Sequence, residues 1–212
     1  MSNPLTEAYV RSRVGAQGPY PGQTTQDALR TGAQGELITG DTFADLVRAK
    51  KVFCASNQTA VTWGTALTAT GVTTHLSNPK SSPVDLEVLG VGLTLLTCTT
   101  AGSIVLAANI DITAAEVTHG TPGTTRNMFL GGPAGEGKFD VAATLPAAPV
   151  AIMPLAGVIG ITTTTDAVGP NWIWRPQPQP IILPPGTALS IQGITIVGTG
   201  LGGFIWHERP RA

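Results

Sequence analysis

Val84–Cys98 reads VDLEVLGVGLTLLTC. Val84, Leu86 and Val88 fall on one face of an extended chain, with Asp85 and Glu87 on the other, because successive side chains of a strand point to opposite sides. Gly90 and Gly92 then interrupt the alternation. Glycines inside a strand mark a bend or bulge, and this one is read as the point where the strand crosses between sheets. The run holds two acids and is too short for a bilayer span.

Around this stretch the chain is a series of short apolar or β-branched runs. The further candidate strands are Val52–Ala55, Thr59–Trp63, Val72–Leu76, Ser103–Ala107, Lys138–Thr144, Ala151–Leu155, Ile181–Leu183, Leu189–Val197 and Phe204–Glu208. Turn formers separate them at Ser77–Pro79, Lys80–Pro83, Thr121–Gly123, Gly131–Pro133, Val168–Pro170 and Pro184–Gly186. Many short strands between such breakers define an all-β domain, as a sandwich, jelly roll or barrel. Ile191, Ile194 and Ile196 with Leu201, Phe204 and Trp206 suggest a closing hairpin. Between Ile181–Leu183 and the run from Thr187, Pro184 keeps Leu183 extended, neither proline can donate to a ladder, and Gly186 supplies a positive φ. The expectation is a type II turn at an edge or corner.

Composition agrees with that class. Of 212 residues only 12% are charged, while 42% are hydrophobic, and Gly 26 with Pro 17 supply the turns. A net charge of −1 offers no electrostatic reason for a nucleic-acid or anionic-membrane partner. MSNPLTEAYVRSRVG has no apolar core of a secretory signal, so the chain is expected to be soluble and made in a cytoplasm. Eleven of the 25 charged side chains fall in residues 1–52. Gly15–Gln26, GAQGPYPGQTTQ, lacks the apolar surface to fold alone. Residues 1–36 therefore read as an extended arm, either a floppy tail or a segment ordered by a partner or a neighbouring subunit. Residues 1–50 stand outside the β domain at 51–212, with a short helix or an extended run within 42–51.

The chain shows little catalytic chemistry. Gly198-Thr-Gly-Leu-Gly-Gly203 matches G-x-G-x-x-G, but a strand-like segment follows it where the dinucleotide fingerprint needs a helix, so it reads as a hairpin turn. His75, His119 and His207 have no partner at ligand spacing, so no metal or cofactor is expected. His75 reads as a packed or surface strand residue, His119 as a loop residue, and His207 as facing solvent or a neighbour. Asp111, Glu116, Glu136 and Asp140 read as solvated turn residues, and no serine-nucleophile elbow is present. The chain is therefore not expected to be an enzyme. Cys54 and Cys98 are two buried thiols, or a disulfide in an oxidising setting. Asn57-Gln-Thr59 is a glycosylation sequon without meaning unless the chain is secreted. Asn171-Trp-Ile-Trp-Arg175 places Trp172 and Trp174 on one side of an extended chain beside Arg175. Core packing, a protein interface and a carbohydrate platform all fit this pattern. With Tyr20 and Arg30 of the arm, these three are the candidate interaction residues.

Three segments resemble a group of structural proteins of tailed bacteriophages: Lys51–Ala60, KVFCASNQTA; Thr73–Pro79, TTHLSNP, with the strand Val84–Val91 after it; and Ile182–Gly186, ILPPG, with the closing Phe204–Pro210, FIWHERP. The resemblance covers residues 51–210 loosely. His207 in the closing motif and a longer arm rich in Gly and Pro depart from the pattern. What the resemblance implies is a non-enzymatic virion protein with a jelly-roll-like β-sandwich, a homotrimer, placed on the capsid surface as a decoration or cement protein that braces major capsid protein subunits. The alternative is a tail, fibre or adhesion component that binds host carbohydrate through Trp172 and Trp174.

Overall fold

The computed structural model describes residues 42–71, 73–110, 116–158, 171–174 and 180–211, with the backbone alone for Thr42, Val158 and Asn171–Trp174. Tyr20, Arg30, Asp111, Arg175 and the arm at 1–36 lie outside them. Among the described residues one short helix, α1 (Thr42–Arg48), comes first. Lys50 follows it at φ 60°, and Lys51 N–H donates to Leu46 O while Lys50 N–H donates to Val47 O. This paired closure stops the helix within its last turn.

The remaining elements described are strands: β1 (Val52–Ser56), β2 (Val61–Trp63), β3 (Thr70–Gly71), β4 (Thr74–Ser77), β5 (Val84–Thr100), β6 (Gly102–Asn109), β7 (Thr118–Pro122), β8 (Arg126–Asn127), β9 (Lys138–Thr144), β10 (Val150–Val158), β11 (Asn171–Trp174), β12 (Ile181–Leu183), β13 (Ala188–Ile194) and β14 (Val197–Pro210). They form two antiparallel sheets. Sheet I runs β11-β5-β14-β1-β8, with β12 also on β5 and β2 on β14. Sheet II runs β10-β6-β13-β4-β9-β3, with β7 also on β9. The fold is an all-β sandwich.

One core lies between the sheets. Phe53, Leu86, Val88, Phe204 and Trp206 enter it from sheet I, and Leu76, Leu106, Phe139, Leu189 and Ile191 from sheet II. Phe139 meets Phe204 edge-on across the sheets at 6.4 Å, and Trp206 stacks on Phe53 at 6.1 Å. Such ring contacts add to the burial term.

The interruption at Gly90 is not a crossing. β5 stays in sheet I and pairs with β14 from Val84↔Pro210 to Thr100↔Val197. Leu89 has no partner, because Ile205 faces Gly90 and Trp206 faces Val88. This bulge reverses which side chains point inward: Leu86 and Val88 are buried before it, Val91, Leu93 and Leu95 after it. A second shift leaves Leu96 unpaired and exposed and returns Cys98 to the core. The broken alternation is thus the ladder resetting its phase.

The expected closing hairpin is also corrected. β13 lies in sheet II and β14 in sheet I, so Thr195 and Ile196 join the two layers, with Thr195 at φ 59°. Gly198–Gly203 is not a turn but the glycine-rich half of β14, paired with β5 throughout and with β2 from Gly198 to Gly200. A Cβ at Gly200 would collide with the Thr94 carbonyl oxygen and the Trp63 indole. Gly200→Ala is therefore expected to cost about 1–3 kcal/mol or more by overpacking, whereas Gly92, with open space beside it, should accept alanine with little change. Thermal unfolding of the two variants checks this contrast.

The Pro184–Gly186 turn forms as its residues dictate. Thr187 N–H donates to Pro184 O at 3.2 Å and Gly186 has φ 86°. It carries the chain from β12 in sheet I to β13 in sheet II, so it is a corner.

Candidate functional site

Strand alternation puts Leu76 of β4 and Leu189 and Ile191 of β13 in the core, which turns His75, Ser77, Ser190 and Gln192 to the opposite face of sheet II. These four side chains are polar, yet all are within 2% of complete burial. His75 stands directly opposite Asp140 of β9 on one side and Ser190 on the other. Gln192 is held by the segment before β3: its side chain accepts from Thr68 N–H at 2.9 Å and donates to Thr68 O at 3.0 Å. A further donation reaches Ser190 Oγ at 3.1 Å.

Asp140 is wholly buried, which corrects its reading as a solvated turn residue. Its Oδ2 accepts from His119 Nδ1 at 2.7 Å, and its Oδ1 has no hydrogen-bond partner. His119 lies on β7 rather than in a loop, and every residue of that strand is exposed. Burial pushes the Asp140 carboxyl up, and the His119 bond and charge partly oppose this. His75 is pushed down to about 4 by burial, against a weaker opposing contact from its Nε2 to Gly71 O at 3.5 Å. His75 Nδ1 and Ser77 Oγ are also buried without partners. Beside the pair is a recess lined by Ser77, Asn78, Lys80, Glu116, Val117 and His119.

A carboxylate that orients a partly exposed imidazole is the base half of a proton-transfer site. A nucleophile at bonding distance, the other half, is not found among the described residues. No group of three or more His, Cys, Asp or Glu could hold a metal among the described residues.

The other histidine expectation is corrected too. His207 is largely buried and bonds Glu87, its register partner on β5, at 2.9 Å. Arg209 holds the second Glu87 oxygen at 3.3 Å. Glu116 accepts from Lys80 N–H, and Glu136 is exposed. Asn57 is buried, and its side chain is occupied by Thr59 O, Gly200 O and Gly202 N–H, so the sequon is a structural clamp on β14. Both cysteines are free thiols; Cys98 is buried, and Cys54 is half-buried with its thiol pushed up by burial. Trp172 and Trp174 sit on β11 opposite Leu93 and Val91, on the strand at the end of sheet I. The side chains of these two tryptophans lie outside the described residues.

The fold and this site define the class: an all-β sandwich with a buried polar row on one sheet. Compared with known protein families, with curated proteins and with solved structures, the chain matches none.

Proposed function

We propose that the chain is a non-enzymatic virion structural protein, a jelly-roll-like decoration or cement protein that braces neighbouring major capsid subunits, acts as a homotrimer and sits on the capsid surface. One observation supports the reading. The three segments that carry the phage resemblance come together as one unit. β1 pairs with β14, and β14 and β12 both pair with β5. Asn78 of the first turn donates to Leu183 O at 2.9 Å and to Val84 O at 2.8 Å, its carbonyl accepts from Gly186 N–H at 2.8 Å, and its own N–H reaches Thr187 O at 3.0 Å. The Asn-Pro and Pro-Pro-Gly turns therefore specify each other. Motifs coupled in this way carry more weight than isolated low-complexity matches.

The low charge suits a sandwich whose sides are covered by neighbours, and an arm that orders on a partner adds contact area at the cost of its ordering entropy. Residues 1–36 are expected to be cut rapidly by trypsin or chymotrypsin in the free protein and protected in particles. Equal resistance in both states overturns the arm's bracing role. Glycan-array binding that disappears in a Trp174→Ala variant replaces this reading with the adhesion one.

A further inference from the structure

A surface feature at the end of β8 lies apart from the polar row. Gly132 N–H donates to Phe129 O at 2.8 Å and Gly131 has φ 83°, which makes Phe129–Gly132 a type II turn. Its leading position displays Leu130 at 86% exposure, beside Phe129 at 42%. The base of the turn is fixed. Buried Asn127 donates to Lys50 O at 2.8 Å and Pro133 O at 3.3 Å, and accepts from Phe129 N–H at 2.9 Å. The Lys50 ammonium lies 5.1 Å from the centre of the Phe129 ring. A side chain on Gly132 would run into Asn127 and the Phe129 carbonyl. An exposed leucine on so constrained a base loses little conformational freedom on being covered, the condition under which a single apolar contact yields affinity.

The surroundings of the turn are basic. Lys51 and Arg126 are exposed and make no ion pair among the described residues, and Lys50 is engaged only by a neutral ring. Most described carboxylates outside this loop are already held, Asp85 by Arg211, Glu87 by His207 and Arg209, Asp140 by His119 and Asp45 by Arg48, while buried Glu208 accepts from Trp206 and from Gly137 N–H of the loop itself. Glu136 is the exposed acid in the same loop. Lys50 at the turn, Lys51 next to it in the chain and Arg126 ahead of it on β8 complement an acidic surface with a small apolar recess. A second copy meeting the tip with its own would set like charges against each other.

We propose that the Phe129–Gly132 turn is a docking knob for an acidic protein surface, Leu130 filling the recess and Lys50, Lys51 and Arg126 framing it. Resting on the virion reading above, the surface belongs to the shell subunit. The experiment uses the phage that encodes the chain, rebuilt with Leu130→Ser, with Arg126→Glu, and with Leu96→Ser as an exposed-leucine control on β5. Copies per purified particle are counted by quantitative mass spectrometry. The expected result is a loss of about tenfold in occupancy for Leu130→Ser and Arg126→Glu, no loss for the control, and release of the wild-type protein as salt rises.

Wild-type protein present and Leu130→Ser incorporated equally overturns the knob and leaves the virion reading standing. Wild-type protein absent from particles overturns the reading and the shell partner with it. A change of oligomeric state in purified Leu130→Ser, seen by sedimentation velocity, assigns the turn to a second copy. Binding of the free protein to phosphatidylserine vesicles that the variant loses assigns it to a lipid surface. Either result overturns the proposal.

Discussion

Trp206→Ala is expected to unfold with about 3–5 kcal/mol less free energy than the wild type in urea titration. Trp206 is fully buried, and its ring stacks on Phe53. Its indole N–H donates to Glu208 Oε1 at 3.2 Å, the same oxygen that accepts from Gly137 N–H at 2.9 Å. Truncation to alanine opens a cavity at the centre of sheet I and removes one of the two donors that keep a buried carboxylate satisfied. Trp206→Phe keeps most of the volume but loses the donor, so it should fall between the two. If the alanine variant keeps wild-type stability, the core described here is misplaced. A loss of this size is comparable to the whole stability of many small domains, so the variant should also yield less soluble protein.

Acidification produces the second large effect. His75 is completely buried, and its pKa falls from the usual 6.5 to about 4. Between those values the unfolded chain binds a proton that the folded chain refuses. Stability contributed by the neutral imidazole is therefore intact above pH 6.5 and drains away as pH falls towards 4. The full window amounts to ~3 kcal/mol. Asp140, opposite His75, acts in the other sense. Its raised pKa means that the folded state takes up a proton before the unfolded state does, which returns stability as pH falls through the range just above the ordinary aspartate value. His119 bonds Asp140 on the far side, and Lys80 and Glu116 line the recess beside it. Denaturation midpoints measured from pH 7 to pH 4 should fall steeply for the wild type and much less for His75→Gln, which can still donate to Gly71 O. An unchanged slope in that variant means another group governs the acid response.

The sandwich was legible where side chains speak for both faces. Val84–Val88 alternates in the sequence as it does in the ladder, and Lys138–Thr144 and Ile181–Leu183 occupy the predicted bounds. The alternation became opaque where the backbone itself shifts. No side chain announces that Leu89 and Leu96 drop out of register, and both are leucines like the core residues around them. Gly198–Gly203 carries almost no pattern, because glycine shows neither face. Its strand character comes from β5 and β2 lying close against it. The two-residue link at Thr195 and Ile196 reads the same whether it closes a hairpin or changes layer, and only the pairing partners decide. The polar row was hidden for a related reason: His119 and Asp140 are 21 positions apart, and the burial of Asp140 is set by cross-strand neighbours. β7, exposed at every position, has no apolar face to betray it.

The β5–β14 ladder has a consequence for mispairing. Two long strands with uniform spacing could slide by two residues and still present alternate faces. Here three irregularities, at Val197/Gly198, Thr199/Gly200 and Ile205/Trp206, act like unequally spaced notches. Any displaced alignment leaves at least one notch against a tooth, and the long ladder tolerates a single fit. Extended strands of this length are templates for fibrils when their alignment is degenerate. In this chain the imperfections make the alignment unique, and they curl the pair away from the flatness that stacking requires.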